Sequence, residues 1–369
     1  MSVRVAILGT RGIPNLYGGF EQCAEMLSQG LVRSGYRVTV YNPDWHPYES
    51  GELGGVQIRK RYCPEKKLGP LAHFIYDGIC LWDAMRSGAD VVIELGYQSS
   101  SLSLLLLRPF IRAKVITNMD GLEWKRAKWS PAVRRATQFF ERLGVRFSDS
   151  LVADNGGIAD YLKEQYGADS ATIAYGVDYP PEFDDSVLEE HNLVSGQFAL
   201  VIARLEPENN IELVLQGHAD AGVDLPVIVV GGTDTLHGKM LTEQFASDNV
   251  RFVGGIYDQP KLNSLRQHSA VCFHGHSVGG TNPSLIEAMA AGSLIAAHDN
   301  PFNRSVLENT DRFFSGSDDV VRILEATQAN ESSYPDEIEK NKSTINKKYN
   351  WDYIVEQYAR EIDRVLEQP

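Results

Sequence analysis

Short runs of apolar residues alternate with amphipathic helical patterns along the whole chain. Many runs are rich in β-branched residues and several are apolar throughout, which is typical of parallel strands covered on both faces. The runs predict a first series of strands at residues 3–8, 38–42, 56–61, 91–95, 114–118, 151–153 and 172–174. They predict a second series at residues 198–203, 227–230, 250–253, 270–273 and 294–297. Such alternation with helices predicts βαβ units and doubly wound parallel sheets.

Helical periodicity fills the segments between the strands, with examples at residues 21–34, 129–147, 211–221 and 284–291. A last amphipathic helix is predicted near the end of the chain, with one apolar face made of Trp351, Ile354, Tyr358, Ile362 and Leu366. A segment rich in proline and aspartate, residues 176–185, interrupts the alternation before it starts again. We therefore predict α/β domains at residues 1–180 and 181–350, followed by a terminal helix at 351–369.

The composition is that of a soluble globular protein, with 43% hydrophobic and 23% charged residues among 369. The leucine-rich run at residues 102–107, which contains Ser103, is far shorter than the roughly 20 residues that span a bilayer. Because a predicted strand begins at residue 3, we expect no signal peptide. The four cysteines show no metal or disulfide spacing, so we expect a reducing, cytoplasmic location.

Charge is distributed unevenly along the chain. The net charge of −14 argues against a nucleic-acid partner. Residues 108–146 nevertheless carry ten basic and three acidic residues, a local charge of +7, which leaves −21 for the rest. Trp124, Trp129, Phe139 and Phe140 lie among these charges. This pattern predicts either docking on an anionic membrane surface or a solvated helix pair whose aromatic residues belong to the core.

The most informative motif is GHSVGGTNPSLIEAMAAG at residues 275–292. It is a glycine-rich turn between a predicted strand and a helix, and Asn282 is a suitable N-cap. The backbone N–H groups of Ser284 and Leu285, together with the helix dipole, favour a phosphate there. Glu287 lies about one turn into the helix, where its carboxylate can accept hydrogen bonds from sugar hydroxyls. The motif therefore predicts a nucleotide or nucleotide-sugar site.

Three other strand ends carry candidate residues. The first strand runs into GTRGIPNLYGGFE at residues 9–21, where Gly18 and Gly19 allow close approach of a ligand, although the motif matches neither G-x-G-x-x-G nor a P-loop. Asp120 follows the strand at 114–118 and is a candidate for contact with a reacting sugar or an acceptor hydroxyl. Glu94 ends a further strand and is a weaker candidate for the same edge.

Arg204 closes the first strand of the second series and offers a forked cation for a diphosphate, although a surface ion pair with Glu206 or Glu208 is the alternative. His276 and Thr281 lie in the glycine-rich turn and are candidates for donor contacts. The histidines of this turn have no acids at metal-ligand spacing, so we expect no metal cofactor.

Four motifs together resemble one enzyme family: GTRGIPNLYGGFE, NMDGLEWKRAKW, ARLEPENNIE and GHSVGGTNPSLIEAM. They resemble family 4 retaining glycosyltransferases of the GT-B fold, and within it the bacterial rhamnosyltransferase-type subgroup of capsule and O-antigen synthesis. The resemblance covers nearly the whole chain. It implies two Rossmann-like parallel-sheet domains facing across a cleft, with the last helix crossing back to the N-terminal, acceptor-side domain.

The resemblance also implies roles for single residues on the donor side. Glu287 matches the second glutamate of the family's E-x7-E motif, which binds the nucleotide ribose. Ser284 and Leu285 match backbone donors to the diphosphate. Arg204 matches the arginine of the phosphate-binding pair.

Further matches and two departures qualify this picture. Gly18 and Gly19 match the glycine loop that faces the donor phosphate, and Asp120 lies near the position of a catalytic histidine in many relatives. Gly279 stands where the first glutamate of the motif is usual, and Asn209 stands where the paired lysine is usual. We interpret these departures as the mark of a different donor, such as dTDP-L-rhamnose, whose hydroxyls need other contacts than those of glucose.

The predicted function is transfer of a sugar from a dTDP- or UDP-linked donor to a polyprenyl-diphosphate-linked glycan at the cytoplasmic membrane face, without a metal. Two alternatives stay open. A GT-B sugar-nucleotide epimerase would share the phosphate site but need no lipid acceptor. A non-catalytic nucleotide-sugar-binding protein would bind the donor without turnover.

Overall fold

The structure is a computed structural model that describes residues 2–16, 18–125, 129–308, 310, 312–329 and 334–368. It divides into two compact units, of which the first joins Met1–Gly176 to Trp351–Pro369 and the second is Val177–Asn350. The chain thus enters the second unit shortly before the predicted boundary at residue 180. We call these the N-terminal unit and the C-terminal unit.

The N-terminal unit is built on a sheet whose strands are β1 (Arg4–Leu8), β2 (Arg37–Pro43), β3 (Glu52–Leu53), β4 (Val56–Arg61), β5 (Val91–Leu95), β6 (Lys114–Asn118), β7 (Ser150–Ala153) and β8 (Ala171–Thr172). Their order is β3-β4-β2-β1-β5-β6-β7-β8. Only the β3–β4 pair is antiparallel among the described strands of this sheet. The helices of this unit are α1 (Gly19–Arg33), α2 (Glu65–Leu68), α3 (Ala72–Arg86), α4 (Ser101–Leu107), α5 (Pro131–Phe147) and α6 (Gly156–Tyr166).

The C-terminal unit contains a second parallel sheet of β9 (Ala199–Ile202), β10 (Val227–Val230), β11 (Val250–Gly254), β12 (Val271–His274), β13 (Ile295–His298) and β14 (Phe313–Phe314). The strand order is β11-β10-β9-β12-β13-β14. Its helices are α7 (Ser186–Glu190), α8 (Ile211–Ala221), α9 (Leu236–Phe245), α10 (Gln259–His268), α11 (Pro283–Ala291), α12 (Pro301–Val306), α13 (Ser317–Gln328) and α14 (Pro335–Thr344). A π-helical turn, Ile345–Tyr349, follows α14.

The last helix, α15 (Trp351–Glu367), belongs to the N-terminal unit and packs against α1 and β6. Its predicted apolar face is buried except for Leu366, which is exposed near the end of the helix. The Tyr358 hydroxyl accepts a hydrogen bond from the amide of Asn118 at 3.0 Å. The helix therefore braces the strand end that leads to Asp120.

The predicted fold class is confirmed, because both units are parallel-sheet α/β structures. Each predicted strand is present, with its ends within one or two residues of the expected positions. The prediction missed β3 and β14, which span two residues each and are too short to give a periodic pattern. No helix in the described part of the chain is both long and apolar enough to cross a bilayer.

Both sheets have a topological switch point. The first strand of the N-terminal unit, β1, lies between β2 and β5, and the first strand of the C-terminal unit, β9, lies between β10 and β12. The loops that leave such neighbouring strands diverge to opposite faces of the sheet. In open α/β sheets, ligands bind in the crevice that this divergence leaves at the carboxyl ends of the strands.

Candidate functional site

The loops that follow β9 and β12 are joined to each other at the switch point of the C-terminal unit. The Ser277 N–H and hydroxyl donate to the Glu208 carbonyl at 3.0 and 2.8 Å. The side-chain amide of Asn210 donates to the Gly275 carbonyl at 2.7 Å. A Cβ at Gly275 would lie 2.0 Å from the carbonyl oxygen of Asn209, so only glycine permits this approach. The two loops therefore form one continuous surface.

Arg204 gives this surface a cation. Its side chain is exposed and forms no ion pair within the described part of the chain, so the surface pair with Glu206 or Glu208 is not formed. Asn209 is buried, and its amide donates to the Arg204 carbonyl at 2.7 Å. Asn209 thus holds the turn that carries Arg204.

The start of α11 is capped from within the chain. The Ser284 N–H donates to the Asn282 side chain at 3.0 Å, and the Leu285 N–H donates to the Asn282 carbonyl at 3.0 Å. The two N–H groups at which we expected a phosphate are therefore already satisfied, because the predicted asparagine N-cap occupies the orphan donors of the first turn. An anion here has to share or displace the Asn282 side chain. Thr281, just before the cap, is buried.

Glu287 is held by a residue that sequence reasoning missed. Its Oε2 accepts from the Arg266 guanidinium at 2.5 Å, and Arg266 is only 1% exposed. Arg266 also donates to the side chain of Asn263 at 3.1 Å. Within the described residues, the second oxygen of Glu287 has no hydrogen bond and is available to a ligand hydroxyl. The sequence contained one indication of this buried arginine. Arg266 lies four residues after Leu262, so both residues fall on the same, buried face of α10.

The histidines of the glycine-rich turn form a stacked pair. The rings of His274 and His276 lie 4.4 Å apart at an angle of 14°. Burial, reinforced by His276 and Arg266, lowers the pKa of His274 well below 6.5, so this ring is neutral at pH 7. The His276 carbonyl accepts from the amides of Asn300 and Asn303 at 3.1 and 3.0 Å. The loop is therefore anchored to the segment that follows β13, another contact that the sequence did not reveal.

Gly279 leaves space on this surface. Its φ is +133°, a conformation that L side chains rarely adopt, and a Cβ there would meet nothing within 4 Å. A glutamate at this position would therefore need a different backbone. The loop conformation at Gly279 therefore suits glycine and not the glutamate that the sequence resemblance would lead one to expect there.

The corresponding loop of the N-terminal unit, after β1, uses its own side chains to satisfy its backbone. The Arg11 N–H donates to Glu21 at 2.9 Å, and the Asn15 N–H donates to Glu25 at 2.7 Å. The Gly18 N–H donates to the Asn15 side chain at 3.2 Å. Gly18 is the N-cap of α1 and Gly19 is its first residue, so both glycines lie at a helix start. Much of the expected phosphate cradle is thus closed by carboxylates and amides of the chain.

Arg11 is also engaged through its side chain, which lies 3.1 Å from the carboxylate of Glu65. Glu65, Cys63 and His73 form the group of potential metal ligands found among the described residues, with ligand atoms within 4.8 Å of one another. The adjacent guanidinium neutralises the carboxylate and disfavours a second cation. We interpret this cluster as an ion-pair network.

Asp120 lies just beyond the carboxyl end of β6, where its φ is +51°. Its N–H donates to the Asn118 side chain at 2.9 Å, which fixes the turn. Its side chain is partly exposed, as a contact to substrate requires. Glu94, by contrast, is fully buried, so the expectation that it lines this edge is wrong.

In the basic segment at residues 108–146, some of the aromatic side chains are packed and one is exposed. Trp124 packs against Tyr161 with ring centroids 6.3 Å apart, and the Trp129 indole donates to Glu123 at 3.1 Å. Phe139 is half exposed. Two of its ten basic residues, Arg126 and Lys128, lie outside the described residues.

Two family models match parts of the chain. Residues 188–351 match the model described as glycosyl transferases group 1, and residues 108–178 match a domain of unknown function, DUF1972. The first match contains the whole Arg204–Glu287 surface, and the second contains Asp120 and the basic segment. No curated protein matches the chain.

Solved structures show the same fold at low identity. Sucrose-phosphate synthase from Thermosynechococcus elongatus is 14% identical over 100% of both chains, with a TM-score of 0.80. Anabaena HepE in complex with UDP-glucose is 14% identical over 99% of this chain and 100% of that one, with a TM-score of 0.72. A trehalose-phosphate synthase from Burkholderia vietnamiensis is 12% identical over 98% and 100%, with a TM-score of 0.68. The chain therefore has the GT-B fold, and its residues 188–351 are similar to glycosyl transferases group 1.

Proposed function

We propose that the chain is a retaining glycosyltransferase that moves a sugar from a nucleoside diphosphate to a glycan acceptor in bacterial surface polysaccharide synthesis. One observation carries the proposal. Within the described residues, Arg204 is unpaired on the loop after β9, and Glu287 has one unsatisfied oxygen on the helix that follows the loop after β12, in the region that matches the group 1 model. A cation for the phosphates and an acceptor for a sugar hydroxyl are the two groups that a nucleoside diphosphate requires. The solved complex of HepE with UDP-glucose shows a nucleotide sugar bound to a protein of this fold.

In this proposal the donor binds to the C-terminal unit. Arg204 contacts the diphosphate, and the free oxygen of Glu287 accepts from a ribose hydroxyl while Arg266 holds the other oxygen. The start of α11 contributes the Ser284 N–H once the phosphate displaces the Asn282 side chain, and the Leu285 N–H, which the phosphate shares with the Asn282 carbonyl. Further donor contacts come from the glycine-rich turn, through His276, Thr281 and Asn282.

The reaction breaks the bond between the sugar C1 and the diphosphate oxygen and forms a bond from C1 to an acceptor oxygen. The acceptor proton passes to an oxygen of the leaving diphosphate. Negative charge that develops on this diphosphate is stabilised by Arg204, a group that is already in place before the reaction. We assign Asp120, in the N-terminal unit, to contact with the reacting sugar or the acceptor hydroxyl.

The sugar we propose is L-rhamnose, carried by dTDP. Gly279 leaves open space where a glutamate would read donor hydroxyls, and its backbone excludes a simple return of that side chain. A 6-deoxy L-sugar presents its hydroxyls differently from glucose, so this loop suits it better. Transfer should proceed without a divalent metal, and undiminished turnover in the presence of a chelator is the expected result.

The acceptor we propose is a glycan on a polyprenyl diphosphate at the cytoplasmic face of the plasma membrane. The basic character of residues 108–146 supports this choice, because a lipid-linked acceptor is reached only at an anionic membrane surface. The N-terminal unit, which contains this segment, would hold the acceptor.

A panel of nucleotide sugars, followed by turnover assays, tests the proposal. A donor that binds the native state raises the melting temperature, and dTDP-L-rhamnose should raise it more than UDP-glucose. The chosen donor is then incubated with and without a synthetic polyprenyl-diphosphate acceptor, using wild type, Asp120→Asn and Glu287→Gln. Acceptor-dependent release of dTDP that both variants impair supports the proposal.

Two other outcomes would support one of the alternative functions, an epimerase or a non-catalytic binding protein. Conversion of the nucleotide sugar without any acceptor would identify an epimerase. Binding of the donor, with no turnover that distinguishes either variant from wild type, would identify a non-catalytic binder.

A further inference from the structure

Three helices of the N-terminal unit form one layer with an unusually apolar outer surface. Helix α4 packs against both α3 and α5. Phe74 of α3 also contacts Phe140 of α5, with ring centroids 5.2 Å apart. The outer sides of these three neighbouring helices are therefore parts of one surface.

Each helix contributes exposed apolar side chains. On α4, Leu102, Leu105 and Leu106 follow the i, i+3, i+4 spacing of one helical stripe, and Leu106 is 66% exposed. Just after α4, Phe110 is 70% exposed. At the start of α3, Leu71 is 66% exposed. Soluble proteins rarely leave so many large apolar side chains uncovered side by side.

Cations flank these apolar residues. On α5, Arg135, Phe139, Arg142 and Arg146 have a spacing of four, three and four residues, which puts the exposed phenyl ring on one stripe with three arginines. Lys66 and Lys67 precede Leu71, and Arg112 follows Phe110, and all three are exposed. We call the exposed apolar and basic residues between 66 and 146 the basic apolar face.

Exposed carboxylates are missing from the same part of the chain. Every acidic residue between positions 65 and 147 is at least partly buried, although the chain as a whole carries a net charge of −14. Glu141, for example, accepts from Tyr97 at 3.2 Å and from Tyr161 at 2.6 Å. Asp83 pairs with Arg59 at 2.9 Å. The cations of this region thus face solvent more than its carboxylates do.

We propose that the basic apolar face docks on an anionic lipid bilayer, with Leu71, Leu106 and Phe110 entering the boundary between headgroups and acyl chains. The positive charge of the face favours an anionic bilayer over a second copy of the chain. A second copy of the chain would bring an equal set of cations against this face, whereas anionic lipid headgroups complement them. The face extends beyond the predicted basic segment, because Lys66, Lys67 and Leu71 precede residue 108. The proposal does not depend on the donor or on turnover.

Vesicle flotation tests the proposal with the full chain. Wild type should float with vesicles of an equal mixture of phosphatidylcholine and phosphatidylglycerol, and should float poorly with pure phosphatidylcholine or at high salt. The double variant L106S/F110S should bind the mixed vesicles at least about tenfold more weakly, because two apolar side chains no longer leave water. The double variant R135Q/R142Q should lose roughly 20-fold at low salt.

A matched control comes from the C-terminal unit, where Leu236 is 89% exposed. Leu236→Ser removes an exposed leucine outside the basic apolar face and should bind vesicles like wild type. Melting temperatures establish that all variants are folded, and light scattering reports their oligomeric state. No flotation of wild type with the mixed vesicles, or equal flotation of wild type and L106S/F110S, overturns the proposal. A dimer that L106S/F110S converts to a monomer, without vesicle binding, overturns it in favour of a second copy.

Discussion

The loop after β1 and the joined loops after β9 and β12 lie at the switch points of their sheets, but their charged residues are arranged in opposite ways. After β1, Arg11 is paired with Glu65, and carboxylates accept from the loop backbone. In the C-terminal unit, Arg204 of the β9 loop is unpaired within the described residues, and among the same residues one oxygen of Glu287 on α11 has no partner. In the first loop, the ion pair and the backbone hydrogen bonds stabilise the loop conformation. In the second, the unpaired cation is available to bind an anionic ligand.

The largest effect should come from the buried arginine behind the donor loop. Arg266→Met leaves the Glu287 carboxylate without its cation in a site where both side chains are largely buried. We expect a loss of about 3 kcal/mol in unfolding free energy, with weaker nucleotide binding. Urea denaturation and the melting-temperature shift with dTDP measure the two effects.

The matched change on the other loop is Arg11→Met. Arg11 and Glu65 are each about one quarter exposed, so the pair is partly screened and should contribute less than about 1 kcal/mol. An equal or larger loss of stability from Arg11→Met would contradict the comparison.

Arg204→Ala should separate catalysis from stability. Because the side chain is exposed and unpaired within the described residues, its loss should change the unfolding free energy by less than about 0.5 kcal/mol. Turnover should nevertheless fall about 10²- to 10³-fold, as expected when a donor to a developing negative charge is removed. Steady-state release of dTDP measures this, and Arg204→Lys should restore part of the rate. If Arg11→Ala reduced turnover as strongly as Arg204→Ala, the loop after β1 would contribute to catalysis as much as the loop after β9, and the contrast between them would be wrong.

The sequence predicted the fold well because strand and helix periodicity is a local property. It also predicted that Arg204 follows one strand and that Asn282 and Glu287 follow another, and those strands, β9 and β12, are parallel neighbours in the structure. It predicted Asn282 as the N-cap but not that its side chain would take the Ser284 N–H, because that choice depends on a rotamer. It could not predict the Arg266–Glu287 ion pair, because the two residues lie 21 positions apart on different helices.

Buried acidic residues in the two units also differ in whether they have a cationic partner. In the N-terminal unit, burial raises the pKa of Asp77 to about 7, and burial together with Asp77 raises the pKa of Glu94 well above its usual value. Neither carboxyl has a cationic partner among the described residues, in contrast to Glu287. These acids are therefore protonated in the folded state at a pH where the unfolded chain is ionised.

The sign of the resulting pH dependence follows from this difference. Below pH 3.8 both states of Asp77 are protonated, and between about 4 and 7 only the folded state keeps the proton, so stability falls as pH rises through this window. Asp77→Asn should flatten that slope and add about 2 kcal/mol at pH 7. Urea denaturation at pH 5 and pH 7 measures it. A wild-type stability that rises between these two values, and a variant with the same slope, would show that Asp77 is ionised in the folded protein.

The smallest effect concerns the cap of α11, and it needs a control from the other unit. Asn282 caps α11 through the Ser284 N–H at 3.0 Å, and Asn155 caps α6 through the Gly157 N–H at 2.8 Å. Replacement of either residue by alanine should cost about 1 kcal/mol in stability, since each variant loses one N-cap hydrogen bond. Melting curves without ligand measure this common cost.

Nucleotide binding should then tell the two caps apart. If the diphosphate competes with the Asn282 side chain for the Ser284 N–H, Asn282→Ala makes that donor available to the ligand. The variant should then bind dTDP more tightly, and bound dTDP should restore part of the stability that the variant lost with its cap. Asn155→Ala should show the same loss with and without dTDP, because its cap lies in the N-terminal unit. Titration calorimetry measures the affinities directly. An equal ligand response in both variants would mean that the phosphate does not use the start of α11, and would leave Arg204 as the main diphosphate contact.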